Sequence, residues 1–139
     1  MSFLIDTNVI SELRKRNRCD RNVADWYSQI ADDDVFLSVL TVGEVRRGIE
    51  NIRRRDSVSA AALDAWLAAL VALHSSRVLP IIEPIAVEWG RMSSPDPLPV
   101  VDGLLAATAK FHGLTLVTKN VDDITTTGVP VLNPFESVS

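Results

Sequence analysis

Several chemistries are excluded by what this sequence has little of. A single cysteine, Cys19, occurs in 139 residues. It has no intramolecular disulfide partner and no Cys or His beside it at metal-ligand spacing, which implies a reducing compartment and an inert thiol. The two histidines, His74 and His112, stand alone near the ends of helical patterns. They read as capping or surface residues rather than general bases, and no Ser or Cys nucleophile has a His partner. Long apolar runs are also missing. The opening Met1-Ser2-Phe3-Leu4-Ile5-Asp6 has no basic segment and meets a charge at its sixth residue, so no secretory leader is expected. The stretch Ala60 to His74 is broken by Asp64 and reads as a packed helix too short to cross a bilayer. Basic residues are outnumbered, 14 against 18 acidic ones for a net charge of −4. That argues against broad coating of nucleic acid but leaves room for a local basic edge.

What the chain has is the composition of an ordinary globular protein, 47% hydrophobic and 23% charged, enough to bury a core without disulfides. One domain over 1–139 is expected. Short apolar runs at Ser2 to Ile5, Val35 to Val39, Val78 to Ile82, Leu114 to Val117 and Val129 to Leu132 predict strands. Helical spacing lies between them, over Val9 to Arg16, Val23 to Ile30, Thr41 to Arg54, Ser57 to Ser75, Ile85 to Met92 and Val101 to His112. Pro84 is placed for a first turn and Gly113 for a C-cap. Ser93 to Pro99 is a proline-stiffened loop. Alternating strands and helices predict an α/β fold whose mainly parallel sheet is covered on both faces, with ligands beyond the carboxyl ends of the strands. Trp26, Trp66 and Trp89 fall within helical patterns and read as core or interface.

Acidic residues recur where strands end or helices begin: Asp6, Glu44, Asp102 and Asp123. Each also fits a purely structural role. The aspartates suit helix N-caps, and Thr41-x-x-Glu44 matches a capping box. A parallel sheet would nevertheless bring these carboxylates to one edge, where they repel unless a hard divalent cation binds. Such a cation polarises a phosphate, activates water and stabilises a leaving oxygen, which suits phosphodiester hydrolysis.

Four stretches carry a family resemblance in the right order: Phe3-Leu4-Ile5-Asp6-Thr7-Asn8-Val9-Ile10-Ser11-Glu12, Leu40-Thr41-Val42-Gly43-Glu44-Val45 with Gly48-Ile49, Asp102-Gly103-Leu104-Leu105-Ala106-Ala107-Thr108-Ala109, and Leu116-Val117-Thr118-Lys119-Asn120-Val121-Asp122-Asp123. The closing Gly128-Val129-Pro130-Val131-Leu132-Asn133-Pro134-Phe135 extends the match. Together they resemble the motifs of PIN-domain proteins of the VapC and FitB-like kind, the toxins of bacterial toxin–antitoxin pairs. The resemblance implies a three-layer α/β/α domain and a Mg²⁺- or Mn²⁺-dependent endoribonuclease acting on RNA in the cytoplasm. It also implies a homodimer and a VapB-like antitoxin that occupies the active site.

By the same resemblance Asp6, Glu44 and Asp102 fall on three acidic positions, as catalytic and metal-binding residues. Asp123 falls on the fourth, beside Asp122, with Ile124 where the pattern has an aromatic; Asn120 is the alternative polar residue there. Thr7, Asn8, Thr118 and Asn120 are supporting polar candidates, with local turn capping the competing role for the threonines. Arg46 and Arg47 are candidates for RNA phosphate, and Arg53-Arg54-Arg55 read as solvated helix surface. Two rival readings remain open. One is a phosphohydrolase of small phosphate esters, disfavoured because Asp6-Thr7-Asn8 lacks a second aspartate two residues on. The other is a non-catalytic PIN-like module that binds RNA or protein.

Overall fold

A computed structural model describes residues 1–136. Five parallel strands form one sheet: β1 (Phe3–Ile5), β2 (Val35–Ser38), β3 (Val78–Leu79), β4 (Thr115–Val117) and β5 (Val131–Leu132), in the order β3-β2-β1-β4-β5. Seven helices accompany them: α1 (Thr7–Leu13), α2 (Arg21–Ser28), α3 (Val39–Arg53), α4 (Ser57–His74), α5 (Glu83–Met92), α6 (Val100–His112) and α7 (Val121–Ile124). Side chains alternate across each strand, so Phe3, Ile5, Val35, Leu37 and Val117 join a core with α1 to α4. Leu4 and Leu116 face the opposite core with Leu105, Ala106, Ala109 and Ile124. Period-two alternation thus builds two cores from one sheet, giving the three layers expected.

The chain leaves β1 to build β2 and β3 on one side, then returns to build β4 and β5 on the other. The β1–β4 crevice is therefore the point where strand order reverses, and α/β folds place ligands there. Register is tight at this seam. The amide of Asp6 donates to the Val117 carbonyl at 2.9 Å, and Thr115 donates to Ser2 at 3.0 Å.

Several expectations from the sequence are corrected. The helix α3 starts at Val39, earlier than Thr41, because the Ser38 hydroxyl caps it by accepting from the Leu40 amide at 3.0 Å. Thr41 is then inside the helix, and its pairing with Glu44 as a capping box does not form. Asp102 is not an N-cap either, since Pro99 holds that position and Asp102 is the third residue of α6. Of the two roles expected for His74 the structure shows the cap and not the surface position: the residue is 2% exposed and its Nδ1 lies 2.8 Å from the Leu70 carbonyl at the end of α4. By length and composition the stretch Ser57–Arg77 does reach membrane-spanning size, because the helical pattern continues past the apolar run at both ends; 17% of its most apolar 18 residues are buried. Gly113 closes α6 as expected, with φ of +68°.

Arg46 and Arg53 are committed to the packing of α3 on α4. Arg53 forks onto both Asp64 oxygens at 2.7 and 2.8 Å, and Arg46 reaches the same carboxylate at 2.6 Å and Glu50 at 3.1 Å. Because these groups are exposed, water screens each pair. Their consequence is placement: Arg46 is turned toward α4, so its sequence assignment to RNA phosphate is not supported.

Candidate active site

Asp6 stands where β1 ends, in extended backbone geometry that opens α1. Its Oδ1 accepts the Thr7 amide at 2.7 Å, and its Oδ2 accepts the Thr118 hydroxyl at 2.7 Å and the Asn8 amide nitrogen at 3.3 Å. The residue is 5% exposed. Burial pushes its carboxyl above the ordinary carboxylate range, the Thr118 and Thr7 bonds pull it back, and the Glu44 charge raises it again. It is therefore an N-cap with one oxygen fixed on β4.

The loop after β4 is fastened to the same point. Thr118 Oγ1 also accepts the Asn120 amide at 3.0 Å, and Asn8 Oδ1 accepts the Lys119 amide at 3.3 Å. The Asp6-Thr7-Asn8 and Thr118-Lys119-Asn120 triplets thus lock the two strand ends that flank the crevice. Glu44 enters from the second turn of α3, where its Oε1 accepts the Thr7 hydroxyl at 2.6 Å. Thr7 links Glu44 to α1, and the capping role read from sequence is replaced by this contact.

Asp102 enters from the first turn of α6. Burial raises its pKa first, the charges of Asp6 and Asp123 raise it further, a bond from the Asn120 side chain lowers it, and Glu44 adds a last upward push. Three carboxylates thus act on a fourth. Asp123, exposed on α7, belongs to this field, whereas its neighbour Asp122 is not among the charges that shift Asp102. Hydrogen bonds bring together Asp6, Glu44, Thr7, Asn8, Thr118 and the Asn120 backbone; Asp102 and Asp123 join them through the field their charges share, and Arg46 lies outside. The Ser93–Pro99 loop borders the site, forming a depression with Asp123 and Thr126.

Among the described residues, no lysine or arginine forms an ion pair with any of the four carboxylates. Their mutual repulsion and all-oxygen chemistry suit a hard divalent cation. Among the same residues, no three His, Cys, Asp or Glu side chains are grouped closely enough to hold a metal ion between them. An open frame fits Mg²⁺, which is typically held by one or two carboxylates and keeps several waters.

Lys119 carries no signal of its own in the sequence, although it is the cation of its motif. It shares a depression with Asn120, Asp122 and Asp123, its Nζ 5.0 Å from the Phe135 ring centre.

Replacing Thr118 with Val is expected to raise the Asp6 pKa, because the hydroxyl bond it removes favours the ionised form. The acidic limb of a rate–pH profile should then move to higher pH while the basic side stays put. An unshifted limb would separate Thr118 from Asp6 function.

The PIN domain family model matches residues 3–126. Toxin FitB of Neisseria gonorrhoeae (strain ATCC 700825 / FA 1090) is 33% identical over 140 residues, covering 96% of this chain and 98% of that protein. The VapC ribonuclease Y4jK of Sinorhizobium fredii (strain NBRC 101917 / NGR234) is 29% identical, covering 96% and 98%. The crystal structure of FitAcB from Neisseria gonorrhoeae superimposes with a TM-score of 0.89 at 32% identity, covering 97% of this chain and 99% of that one.

Proposed function

The chain belongs to the PIN-domain family, and from that membership we propose that it is the ribonuclease toxin of a type II toxin–antitoxin pair, cleaving RNA with the help of a divalent cation. The observation that carries the reading is the buried Asp6 at the switch point of the sheet, joined through Thr7 to Glu44 and bonded by Thr118 beyond the end of β4, with Asp102 in the field of the other carboxylates. Asp6 and Asp102 are the principal ligands for Mg²⁺ or Mn²⁺, and Glu44 and Asp123 complete the cluster or orient its water. The bound cation would polarise the scissile phosphate and lower the pKa of water there.

The chain's own residues do the rest. Thr118 and Thr7 hold Asp6 in one rotamer, and Thr7 holds Glu44. A preorganised set of carboxylates needs little rearrangement when charge develops on the phosphate. The reading places the protein in the cytoplasm, with a VapB-like antitoxin as partner. A second copy of the chain is a further partner, to which α4 offers exposed Val58 and Leu73.

The test is cleavage of a mixed pool of structured and single-stranded RNA with Mg²⁺, Mn²⁺ or EDTA. EDTA-sensitive cutting is expected. In parallel, Mn²⁺ at a hundredfold its Kd should stabilise the fold by about 2.7 kcal/mol, since it binds only the folded state. A melting temperature indifferent to Mn²⁺ would remove the metal from the mechanism. Metal binding without cleavage of any RNA would favour the inert-module reading.

A further inference from the structure

The connector after α1 carries Arg14, Lys15, Arg16 and Arg18 in a protein whose net charge is −4. All four are exposed, and they alone line one open depression. Among the described residues, only Lys15 of the four has an ion-pair partner, Glu12 at 3.0 Å. Unpaired cations gathered on an acidic protein repel one another unless an anion covers them.

The connector is also held in shape. Glu12 accepts Lys15 Nζ with one oxygen and the Asp20 amide at 2.8 Å with the other, tying both ends of the segment to α1. Between these anchors Arg16 adopts φ of +52°. A non-glycine residue in that region is strained, and such strain collects at functional sites. The backbone that carries the cations is therefore fixed, and their exposed side chains extend from it.

One continuous route joins this platform to the carboxylates, and a further cation flanks them. Arg14 lines a second depression together with Thr7, Ser11 and Glu44, down the face of α1. On the other flank, Lys119 stands beside Asn120 and Asp123 while its charge also reaches Glu12. From Thr7 to Arg14 is about 10 Å along a helix, within roughly three nucleotides of a strand whose phosphates recur every ~3.4 Å or more.

Building on the nuclease reading, we infer that the Arg14–Arg18 platform, entered past Lys119, binds the phosphates of the substrate RNA strand beside the cut. The cleavage cluster repels a polyanion, and this surface supplies the attraction that seats it. An acidic protein segment would satisfy the charges equally, but continuity with Thr7 and Glu44 along α1 favours the strand that must enter the carboxylates.

The test is equilibrium binding of a labelled 16-nucleotide single-stranded RNA in EDTA, over a range of salt. Arg16→Gln combined with Arg18→Gln should weaken binding roughly tenfold at low salt and flatten the slope of log K against log salt by about 1.4, near 0.7 for each phosphate no longer neutralised. Arg91→Gln with Lys110→Gln removes the same charge from the opposite layer and should leave the slope unchanged. An unchanged slope in the Arg16/Arg18 variant overturns the inference, as does loss of poly-glutamate binding with RNA binding intact. Wild-type protein that cuts RNA while the slope stays fixed defeats this inference alone. Wild-type protein that cuts none while the slope falls defeats only the nuclease reading.

Discussion

Asp102→Asn and Asp6→Asn should each reduce RNA cleavage by roughly 10²–10³-fold, the scale of losing one preorganised electrostatic contact at a transition state. Their effects on stability should differ from those of ordinary buried-site changes. Asp102 sits in the field of Asp6, Asp123 and Glu44, and an amide of the same shape relieves that repulsion. Relief of about 1 kcal/mol would raise the metal-free melting temperature by roughly 2–4 °C in a chain of this size. For Asp6 the gain is offset, because the amide group would present a donor where Thr118 Oγ1 and Asn8 Nδ2 now donate to Oδ2. Its melting temperature should stay near wild type. Cleavage assays and thermal melts with and without Mn²⁺ check both. Retained cleavage in either variant would remove that carboxylate from catalysis, and unfolding of Asp6→Asn would reduce Asp6 to a helix cap.

The pH dependence carries the same sign. Asp6 and Asp102 have raised folded-state pKa values. Their contribution to stability is present below the ordinary carboxylate pKa and is lost as pH rises through the folded value. Glu50, Asp64 and Glu88 are held low by their Arg and Lys neighbours. Their contribution is present above the ordinary pKa and is lost as pH falls. The site is thus the part of the metal-free molecule that mild acid relieves, while the surface pairs are what it weakens. Function and stability oppose each other at Asp6 and Asp102.

Much of this is legible in the chain itself. Continuous apolar runs such as Phe3-Leu4-Ile5 specify strands with two buried faces, and each of β1 and β4 ends at the polar triplet that the fold uses. The position of Asp6 follows from that boundary. Helix starts are less legible because the apolar period marks a helix's buried face and not its first turn, so Ser38 and Pro99 do not stand out as caps. Arg46 misleads for a different reason. Its partner Asp64 lies on the next helix, and only the packing of α3 on α4 reveals that the guanidinium is taken. The Arg16 conformation is similarly invisible in a run of basic residues.

The contact most hidden from the sequence predicts a second large effect. Gly103 follows Asp102 directly, and a Cβ there would lie 2.9 Å from Trp89 Cδ1, 3.0 Å from its Nε1 and 3.2 Å from Leu98 Cβ. Helix propensity alone favours alanine over glycine by about 1 kcal/mol. Overpacking against an indole and a neighbouring side chain costs about 1–3 kcal/mol, and the rigidity of the indole decides that sterics prevail. Gly103→Ala should therefore lower stability and push the first turn of α6 away from α5, carrying Asp102 with it. A shift of about one ångström at a catalytic group costs on the order of 10²-fold, so kcat should fall more than KM rises. Trp89→Leu supplies the rescue. Trp89 Nε1 is buried without a partner, so its removal forfeits no hydrogen bond, and the double variant should recover the activity that Gly103→Ala alone forfeits. Melting curves and single-turnover cleavage of the four-member cycle measure the coupling. Additive effects would mean that the two sites do not meet; reduced stability with full activity in the folded fraction would mean that Gly103 fits the helices together without aiming Asp102.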